Sequence, residues 1–330
     1  MDYLLRIEDL QTTFYTDDAV IRAVDKVSFN VKPGEVVGLV GESGCGKSVI
    51  SLSIMRLIQD PPGKIEGGKI LFEDKDLLKL DQKQMRRIRG NDIAMIFQEP
   101  MTSFNPVYKI GDQVSEAIRL HQGLDKVSAW QEAARMLELV GIPRPNEIIN
   151  DYPHQLSGGM RQRAMIAMAL SCNPKLLIAD EPTTALDVTI QAQILELMKD
   201  LKDKINTAII FITHDLGVIA EMAQHVVVMY AGKIVEDTDV YSLFNEPLHP
   251  YTAGLIRSKP KLEEEKEQLE FIPGTVPNPM EMPGGCAFNP RCPEAMEICC
   301  SEMPDLIEPK PNHLVRCWLY QKAKAGEVSK

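Results

Sequence analysis

The sequence predicts an α/β fold with a parallel sheet whose strands carry polar residues at their carboxyl ends. Three apolar runs predict buried strands: Val36–Val40, Leu176–Ala179 and Ala208–Ile212. Each run is continuous rather than alternating, as in strands that are covered on both faces. The amphipathic segment Gln191–Lys204 lies between the second and third runs and predicts a connecting helix. The alternation of buried strands with a helix therefore indicates the parallel sheet.

Composition and charge exclude several classes of protein. The 330 residues are 44% hydrophobic and 25% charged, which is typical of a globular protein and excludes collagen, low-complexity disorder and coiled coil. Acidic residues outnumber basic ones by 47 to 36, for a net charge of -11. Such a surface repels phosphate backbones, so we expect no nucleic-acid partner.

No targeting or membrane segment is expected. The amino-terminal residues include acids and lack the apolar core of a secretory signal, and no charge-free apolar run of about 18 residues follows. We expect a soluble, cytosolic chain. It can still act at a membrane by docking on an integral partner.

The first predicted strand leads into a phosphate-binding loop. Residues Gly41–Ser48 fit the pattern G-x-x-x-x-G-K-[ST] and lie between the strand Val36–Val40 and the predicted helix Ser48–Ile58. In such a loop Lys47 reaches the outer phosphates of a nucleotide, and the Ser48 hydroxyl ligates Mg²⁺. The residues predicted to contact the nucleotide here are Gly41, Ser43, Gly44, Cys45, Gly46, Lys47 and Ser48.

A helical segment and a second glycine pair follow. Residues 112–140 have helical periodicity without a strand signal, which predicts a helical subdomain over about 99–165, inserted in the sheet domain. Ser157 is positioned to cap the next helix, and Gly158 and Gly159 expose backbone N–H groups as a second phosphate-binding nest. One ATP cannot use both nests of the same chain.

The second predicted strand ends in two carboxylates. The run Leu176–Ala179 is followed by Asp180 and Glu181. We expect Asp180 to serve the Mg²⁺ shell and Glu181 to polarise a water beside the γ-phosphate.

The segment Leu-Ser-Gly-Gly at 156–159, followed by Gln162 and Arg163, resembles the signature of the ATP-binding-cassette family. The resemblance extends over residues 1 to about 250. It implies a P-loop ATPase in which the nest of one subunit covers the ATP of another. By resemblance, Gln98 reaches Mg²⁺ and the attacking water, His214 binds the γ-phosphate, and Asp187 belongs to a loop that crosses the dimer interface.

The adenine site is less clearly marked. Family members stack the base on an aromatic residue upstream of the phosphate loop, where this chain has Phe14 and Tyr15. We favour Phe14 on the sequence. Arg22 is a further candidate for contact with the base, or a solvated residue.

Three segments resemble the dipeptide and oligopeptide importer ATPases: residues 98–106, 246–252 and the tail Pro283–Tyr320. The resemblance implies a peripheral subunit on the cytoplasmic face of the membrane. Its expected partners are two transmembrane permeases, a second ATPase subunit and, indirectly, an external peptide-binding protein. The alternatives are a soluble ATPase for iron–sulfur assembly, an importer ATPase for nickel or another solute, and a module that binds ATP without hydrolysis.

We place a domain boundary near residue 260, so that residues 1–260 form the nucleotide-binding domain and 261–330 a small, irregular, cysteine-rich extension. The charged run at 261–270 predicts a linker helix. The extension is too short and proline-rich to bury its own core, so something must crosslink it. A [4Fe–4S] cluster is favoured over the two equal alternatives, zinc and disulfides or free thiols. The expected ligands are Cys286, Cys292, Cys299 and Cys317, with Cys300 as a possible substitute.

Overall fold

The structure is a computed structural model that describes residues 3–98, 103–184, 187–258 and 271–321. Its strands in chain order are β1 Leu5–Tyr15, β2 Val20–Val31, β3 Val36–Val40, β4 Gly63–Phe72, β5 Lys75–Asp76, β6 Ile93–Ile96, β7 Leu176–Asp180, β8 Ala208–Thr213, β9 His225–Tyr230, β10 Lys233–Asp239, β11 Ile307–Lys310 and β12 His313–Val315. Its α-helices are α1 Lys47–Ile54, α2 Gln82–Ile88, α3 Ile110–Gln122, α4 Lys126–Leu139, α5 Pro145–Ile148, α6 Gly158–Leu170, α7 Val188–Ile205, α8 Leu216–Met222, α9 Val240–Asn245, α10 Pro250–Arg257 and α11 Glu297–Ser301. Short 3-10 turns include Asn289–Arg291 and Trp318–Tyr320.

The chain divides into two compact units. The described residues of the first unit lie within Met1–Arg6, Asn30–Val36 and Ile70–Thr213. Those of the second lie within Ile7–Phe29, Val37–Lys69 and His214–Lys330. Each unit therefore draws on separate parts of the sequence.

The first unit contains parallel strands and the helical segment. Strand β7 pairs in parallel with β6 on one side and β8 on the other, with Ile178 opposite both Met95 and Ile210. All five residues of β7 are buried, which explains its continuous apolar run. Helices α3, α4 and α6 pack against one another in the same unit. The predicted parallel strands and helices are thus present.

The second unit contains residues 37–40 of the first predicted strand, β3. Strand β3 pairs in parallel with β9, with Val37 opposite His225, and β9 pairs antiparallel with β10. The extension adds to this sheet, because β12 pairs antiparallel with β10 and β11 with β12. Glu236 of β10 lies opposite Val315 of β12.

The extension is therefore less irregular than the sequence predicted. Strands β11 and β12 form a two-stranded hairpin that extends the sheet of β3, β9 and β10, so the extension shares that sheet. The proposed boundary near residue 260 and the predicted linker helix at 261–270 lie outside the described residues, as does the start of the predicted 99–165 subdomain. Within the described ranges, no helix has the length and apolarity needed to cross a membrane.

Candidate active site

The phosphate-binding loop lies in the second unit, between the end of β3 at Val40 and the start of α1 at Lys47. Gly46 has a φ of 104°, in the left-handed region that favours glycine. A Cβ at Gly46 would lie 2.3 Å from the carbonyl oxygen of Ala23, so any side chain would displace the backbone. The loop thus has room for nothing larger than glycine at this position.

Lys47 lies folded over its own loop. Its Nζ donates to the carbonyl oxygens of Gly41 at 2.7 Å and Glu42 at 3.0 Å, and the residue is only 5% exposed. Cys45 is fully buried beside it, and burial raises the pKa of this thiol. The buried, protonated thiol acts as a small apolar residue inside the loop.

The two carboxylates end strand β7 in the first unit. Asp180 is buried, and Glu181 follows with a φ of 47°, a conformation that few residues other than glycine adopt. The backbone N–H of Glu181 donates to the carbonyl oxygen of Ile212 in β8 at 2.9 Å. A strained backbone that the neighbouring strand holds is common at functional sites.

Two side chains hold the carboxylate of Glu181. Gln98 Nε2 donates to Glu181 Oε2 at 3.2 Å, so the structure brings together two residues that the sequence predicted as catalytic. The Thr184 hydroxyl donates to the same oxygen at 2.8 Å. Sequence reasoning missed Thr184, which belongs to none of the motifs.

The second glycine pair begins α6 in the first unit. The Ser157 hydroxyl accepts from the backbone N–H of Met160 at 3.3 Å, so Ser157 caps the helix as predicted. A Cβ at Gly158 would meet nothing within 4 Å, which leaves this face of the nest open. Gln162, which is buried, donates to the carbonyl oxygen of Pro182 at 2.5 Å and so ties α6 to the residues after Glu181.

The remaining predicted residues lie at helix starts. Asp187 is the N-cap of α7, where its carboxylate accepts from the backbone N–H of Ile190 at 3.0 Å. Its neighbours 185 and 186 are outside the described residues. His214 follows the last residue of β8 and is exposed, at the start of the second unit's carboxyl-terminal part.

The two aromatic candidates for the adenine site face different surroundings. A Cβ at Gly63 would lie 2.8 Å from Phe14 Cε1, so the Phe14 ring packs against Gly63. Tyr15 is 48% exposed, and its hydroxyl donates a short hydrogen bond to Glu66, which raises the pKa of Tyr15. The Arg22 side chain is more than half exposed, and its Nη1 lies 3.8 Å from Asp25 Oδ1. Phe14 is partly buried and Tyr15 is exposed, and the preference for Phe14 stays a prediction.

The four predicted cysteine ligands surround one small cavity in the second unit. Cys286, Cys292, Cys299 and Cys317 all line it, together with His249. Burial raises the pKa of the Cys286 and Cys292 thiols, and that of Cys317 to about 11. These thiols are therefore protonated at neutral pH.

All seven cysteines are free thiols in the structure, which agrees with the free-thiol part of the third alternative and gives disulfides no support. Among the described residues, no group of three or more His, Cys, Asp or Glu side chains is arranged to hold a single metal ion. This finding supports neither the favoured [4Fe–4S] expectation nor the zinc alternative. Cys300 is exposed, and it does not line the cavity.

Comparison with protein families identifies two regions. Residues 24–184 match the family model "ABC transporter". Residues 235–299 match "Oligopeptide/dipeptide transporter, C-terminal region". The second match begins within β10 and ends before Cys317, so it starts earlier and stops sooner than the predicted extension.

Similar proteins span nearly the whole chain. The chain is 55% identical over 327 residues to the "Oligopeptide transport ATP-binding protein AppD" of Bacillus subtilis, covering 99% of this chain and 100% of that protein. It is 53% identical over 303 residues to the "Dipeptide transport ATP-binding protein DppD" of Escherichia coli, covering 92% of each.

Solved structures agree on the fold. The ATP-binding cassette MJ0796, solved as a dimer in a post-hydrolysis state bound to ADP and Pi, matches with a TM-score of 0.64 at 26% identity, over 72% of this chain and 98% of that one. The cbiO1 protein of Clostridium perfringens matches with a TM-score of 0.62, also at 26% identity, over 74% of this chain and 92% of that one. The chain therefore belongs to the ABC transporter ATPase family, among the members that carry the oligopeptide/dipeptide transporter C-terminal region.

Proposed function

We propose that this chain is the ATP-hydrolysing subunit of an importer for dipeptides or oligopeptides. Membership of the ABC ATPase family supports ATP hydrolysis with Mg²⁺. The transporter C-terminal region and the peptide-transport names of the relatives support the peptide class. These names give the iron–sulfur assembly and nickel alternatives no support.

The contact between Gln98 and Glu181 carries the assignment of hydrolysis. It aims an amide at the carboxylate that would polarise the attacking water, which a module that only binds ATP would not need. Thr184 fixes the same carboxylate from a second direction. A carboxylate held by two donors is pre-organised for its role as a base.

The donor set suits Mg²⁺ and a triphosphate. Ser48, Asp180 and Gln98 offer hydroxyl, carboxylate and amide oxygens, which are the hard ligands that Mg²⁺ prefers. Bound Mg²⁺ would neutralise charge that develops on the phosphates. Lys47 would exchange its bonds to the loop carbonyls for bonds to the outer phosphates, and His214 would donate to the γ-phosphate.

A second cassette would complete each site. Ser157, Gly158 and Gly159 form an open nest that one chain can offer to the ATP of its partner. Asp187 would belong to a loop that crosses the interface between the two cassettes. We infer a pair of cassettes, either two copies of this chain or one copy with a different ATPase. Two transmembrane permeases would anchor the pair on the cytoplasmic face, and an external binding protein would deliver the peptide.

Adenine would stack on Tyr15, since its ring is the exposed one of the two candidates. The hydrogen bond from Tyr15 to Glu66 fixes the ring direction. Arg22 lies in the same unit with an exposed side chain and stays a candidate for contact with the base.

We further propose that Cys286, Cys292, Cys299 and Cys317 hold a [4Fe–4S] cluster. Four thiols around one cavity suit a cluster bound by four cysteines. The cluster would crosslink the extension, whose segments are too short to bury a core alone. Anaerobically purified protein should contain about four iron atoms and as many sulfides per chain; a colourless, iron-free protein would contradict this proposal.

Replacement of Glu181, the proposed base, tests the main function. Glu181→Gln should abolish turnover and trap a dimer with ATP bound, because the amide cannot polarise water while the phosphate contacts stay intact. The dimer is measured by size-exclusion chromatography with ATP and Mg²⁺, and hydrolysis by phosphate release. Full turnover by Glu181→Gln, or by wild-type chains kept monomeric, would refute the mechanism.

A further inference from the structure

One arginine of the extension reaches the phosphate-binding loop. Arg291 ends the turn Asn289–Arg291, directly before Cys292, and is only 8% exposed. Both of its terminal nitrogens bind Glu42: Nη1 donates to Oε2 at 2.7 Å and Nη2 to Oε1 at 3.0 Å. Such a paired contact between guanidinium and carboxylate is strong and fixes direction.

The other donors of Arg291 also have partners. Nε donates to the carbonyl oxygen of Pro273 at 3.0 Å, Nη2 to that of Ile272 at 3.4 Å, and Nη1 to the Tyr230 hydroxyl at 3.3 Å. All five N–H groups of the guanidinium are thereby used. A lysine has three donors and no fork, so it cannot reproduce this set.

Glu42 is held on three sides within the loop Gly41–Ser48. Its carboxylate binds Arg291, its backbone N–H donates to the Tyr251 hydroxyl at 2.9 Å, and its carbonyl oxygen accepts from Lys47 Nζ at 3.0 Å. The same residue thus connects the extension to the lysine that is expected to bind phosphate.

An aromatic group supports this connection. The rings of Tyr230 and Tyr251 have centroids 4.7 Å apart, and Phe288 of the extension packs edge-on against both, at 5.2 and 5.4 Å. All three side chains are buried. The extension therefore contributes both a charge and an apolar ring to the support of the loop.

The contact between Arg291 and Glu42 also changes the charge of the phosphate-binding loop. Glu42 carries a negative charge inside a loop that is expected to receive a triphosphate, and like charges at short range repel. Arg291 neutralises that charge and holds the carboxylate in a fixed direction. Without Arg291, the carboxylate would be free to turn toward the phosphates.

We propose that Arg291 is a positioning residue for nucleotide binding: through Glu42 it holds the phosphate-binding loop in shape and cancels a carboxylate charge that would oppose ATP. This inference rests on the proposed function, because it assumes that the loop binds ATP. It makes the extension part of the nucleotide site, in addition to any role in assembly.

The test compares ATP·Mg binding by full-length variants, measured by titration calorimetry with hydrolysis followed in parallel. Arg291→Gln should raise the dissociation constant about tenfold, since the loop loses a charge-assisted pair and gains a repulsive carboxylate. The dissociation constant of Arg291→Lys should lie between those of the wild type and Arg291→Gln, because lysine keeps the positive charge but cannot make the paired contact with the carboxylate. The matched control is Lys310→Gln, which removes an exposed ion pair of the extension whose partner, Glu246, is not part of the loop.

A second pair of variants separates positioning from a general structural role. In a Glu42→Gln background, Arg291→Gln should have less than about a twofold further effect, because the charge that Arg291 cancels is already gone. The weakening caused by Arg291→Gln alone should also shrink as salt is raised, because salt screens the repulsion. A variant that is merely unfolded would show neither the reduced effect in the Glu42→Gln background nor the salt dependence. Thermal melts check that each variant is folded.

The outcomes are distinct. Unchanged ATP affinity in folded Arg291→Gln, or in Arg291→Lys if the first variant does not fold, would overturn the inference. So would an equal loss in Lys310→Gln, or full additivity with Glu42→Gln. Failure of the wild-type chain to bind ATP·Mg would instead refute the proposed function.

Discussion

A buried carboxylate network attaches the extension hairpin, and its loss should be measurable. Glu236 of β10 is fully buried, and its carboxylate accepts from the backbone N–H groups of Leu248 at 2.7 Å and His249 at 2.9 Å. The third bond comes from Nε2 of His313 in β12, at 2.7 Å, and His313 is only 3% exposed. We predict that His313→Ala destabilises the extension.

The magnitude follows from the number of donors. A hydrogen bond to a charged group contributes about 1.5 to 3 kcal/mol, and Glu236 would keep two of its three donors. We therefore expect a loss of about 2 kcal/mol in the free energy of unfolding. His154→Ala is the control: this exposed histidine lies outside the network, and its loss should cost less than about 0.5 kcal/mol.

The sequence offers a local reporter for this measurement. Of the two tryptophans, Trp318 lies in the extension, where its Nε1 donates to the carbonyl oxygen of Glu302 at 2.9 Å. In a Trp130→Phe background its fluorescence follows the extension alone. Urea unfolding should show the Trp318 transition of His313→Ala shifted down by about 1 M. An unchanged midpoint would refute the reasoning.

Two further predictions concern the loop and a buried histidine. Gly46→Ala should weaken ATP·Mg binding by more than about tenfold, because the new Cβ would lie 2.3 Å from the Ala23 carbonyl oxygen. The control Gly44→Ala should weaken binding less, because a Cβ there meets nothing within 4 Å. Equal affinities of the two variants in titration calorimetry would contradict this prediction. Burial lowers the pKa of His249 from 6.5 to about 4. Between pH 6.5 and about 4 the histidine therefore takes up a proton when the protein unfolds. The free energy of unfolding should fall by up to about 3 kcal/mol as the pH drops through this range. His249→Asn, which can keep the cap on α10, should flatten that dependence in urea titrations, and an unaltered pH profile would exclude His249 as its source.

Much of the cassette could be predicted because its signals are local. The strand–loop–helix order around Gly41–Ser48 and the cap at Ser157 depend on residues within a few positions of one another, and the structure confirms both. The continuous apolar run of β7 likewise reports burial on two faces.

Other features needed side-chain directions that the sequence does not give. Phe14 and Tyr15 are adjacent, so their side chains point to opposite faces of β1, and only the structure shows which face is open. Thr184 was missed because a lone hydroxyl carries no motif of its own.

The sequence alone determined the fold class and the phosphate-binding motif, since each depends on a pattern along a short stretch of chain. Only the tertiary structure decided that β12 of the extension joins β10 and that Arg291 reaches Glu42, a residue 249 positions away. Such contacts form when distant segments pack together, and their partners are set by the geometry of that packing, for which no local periodicity exists.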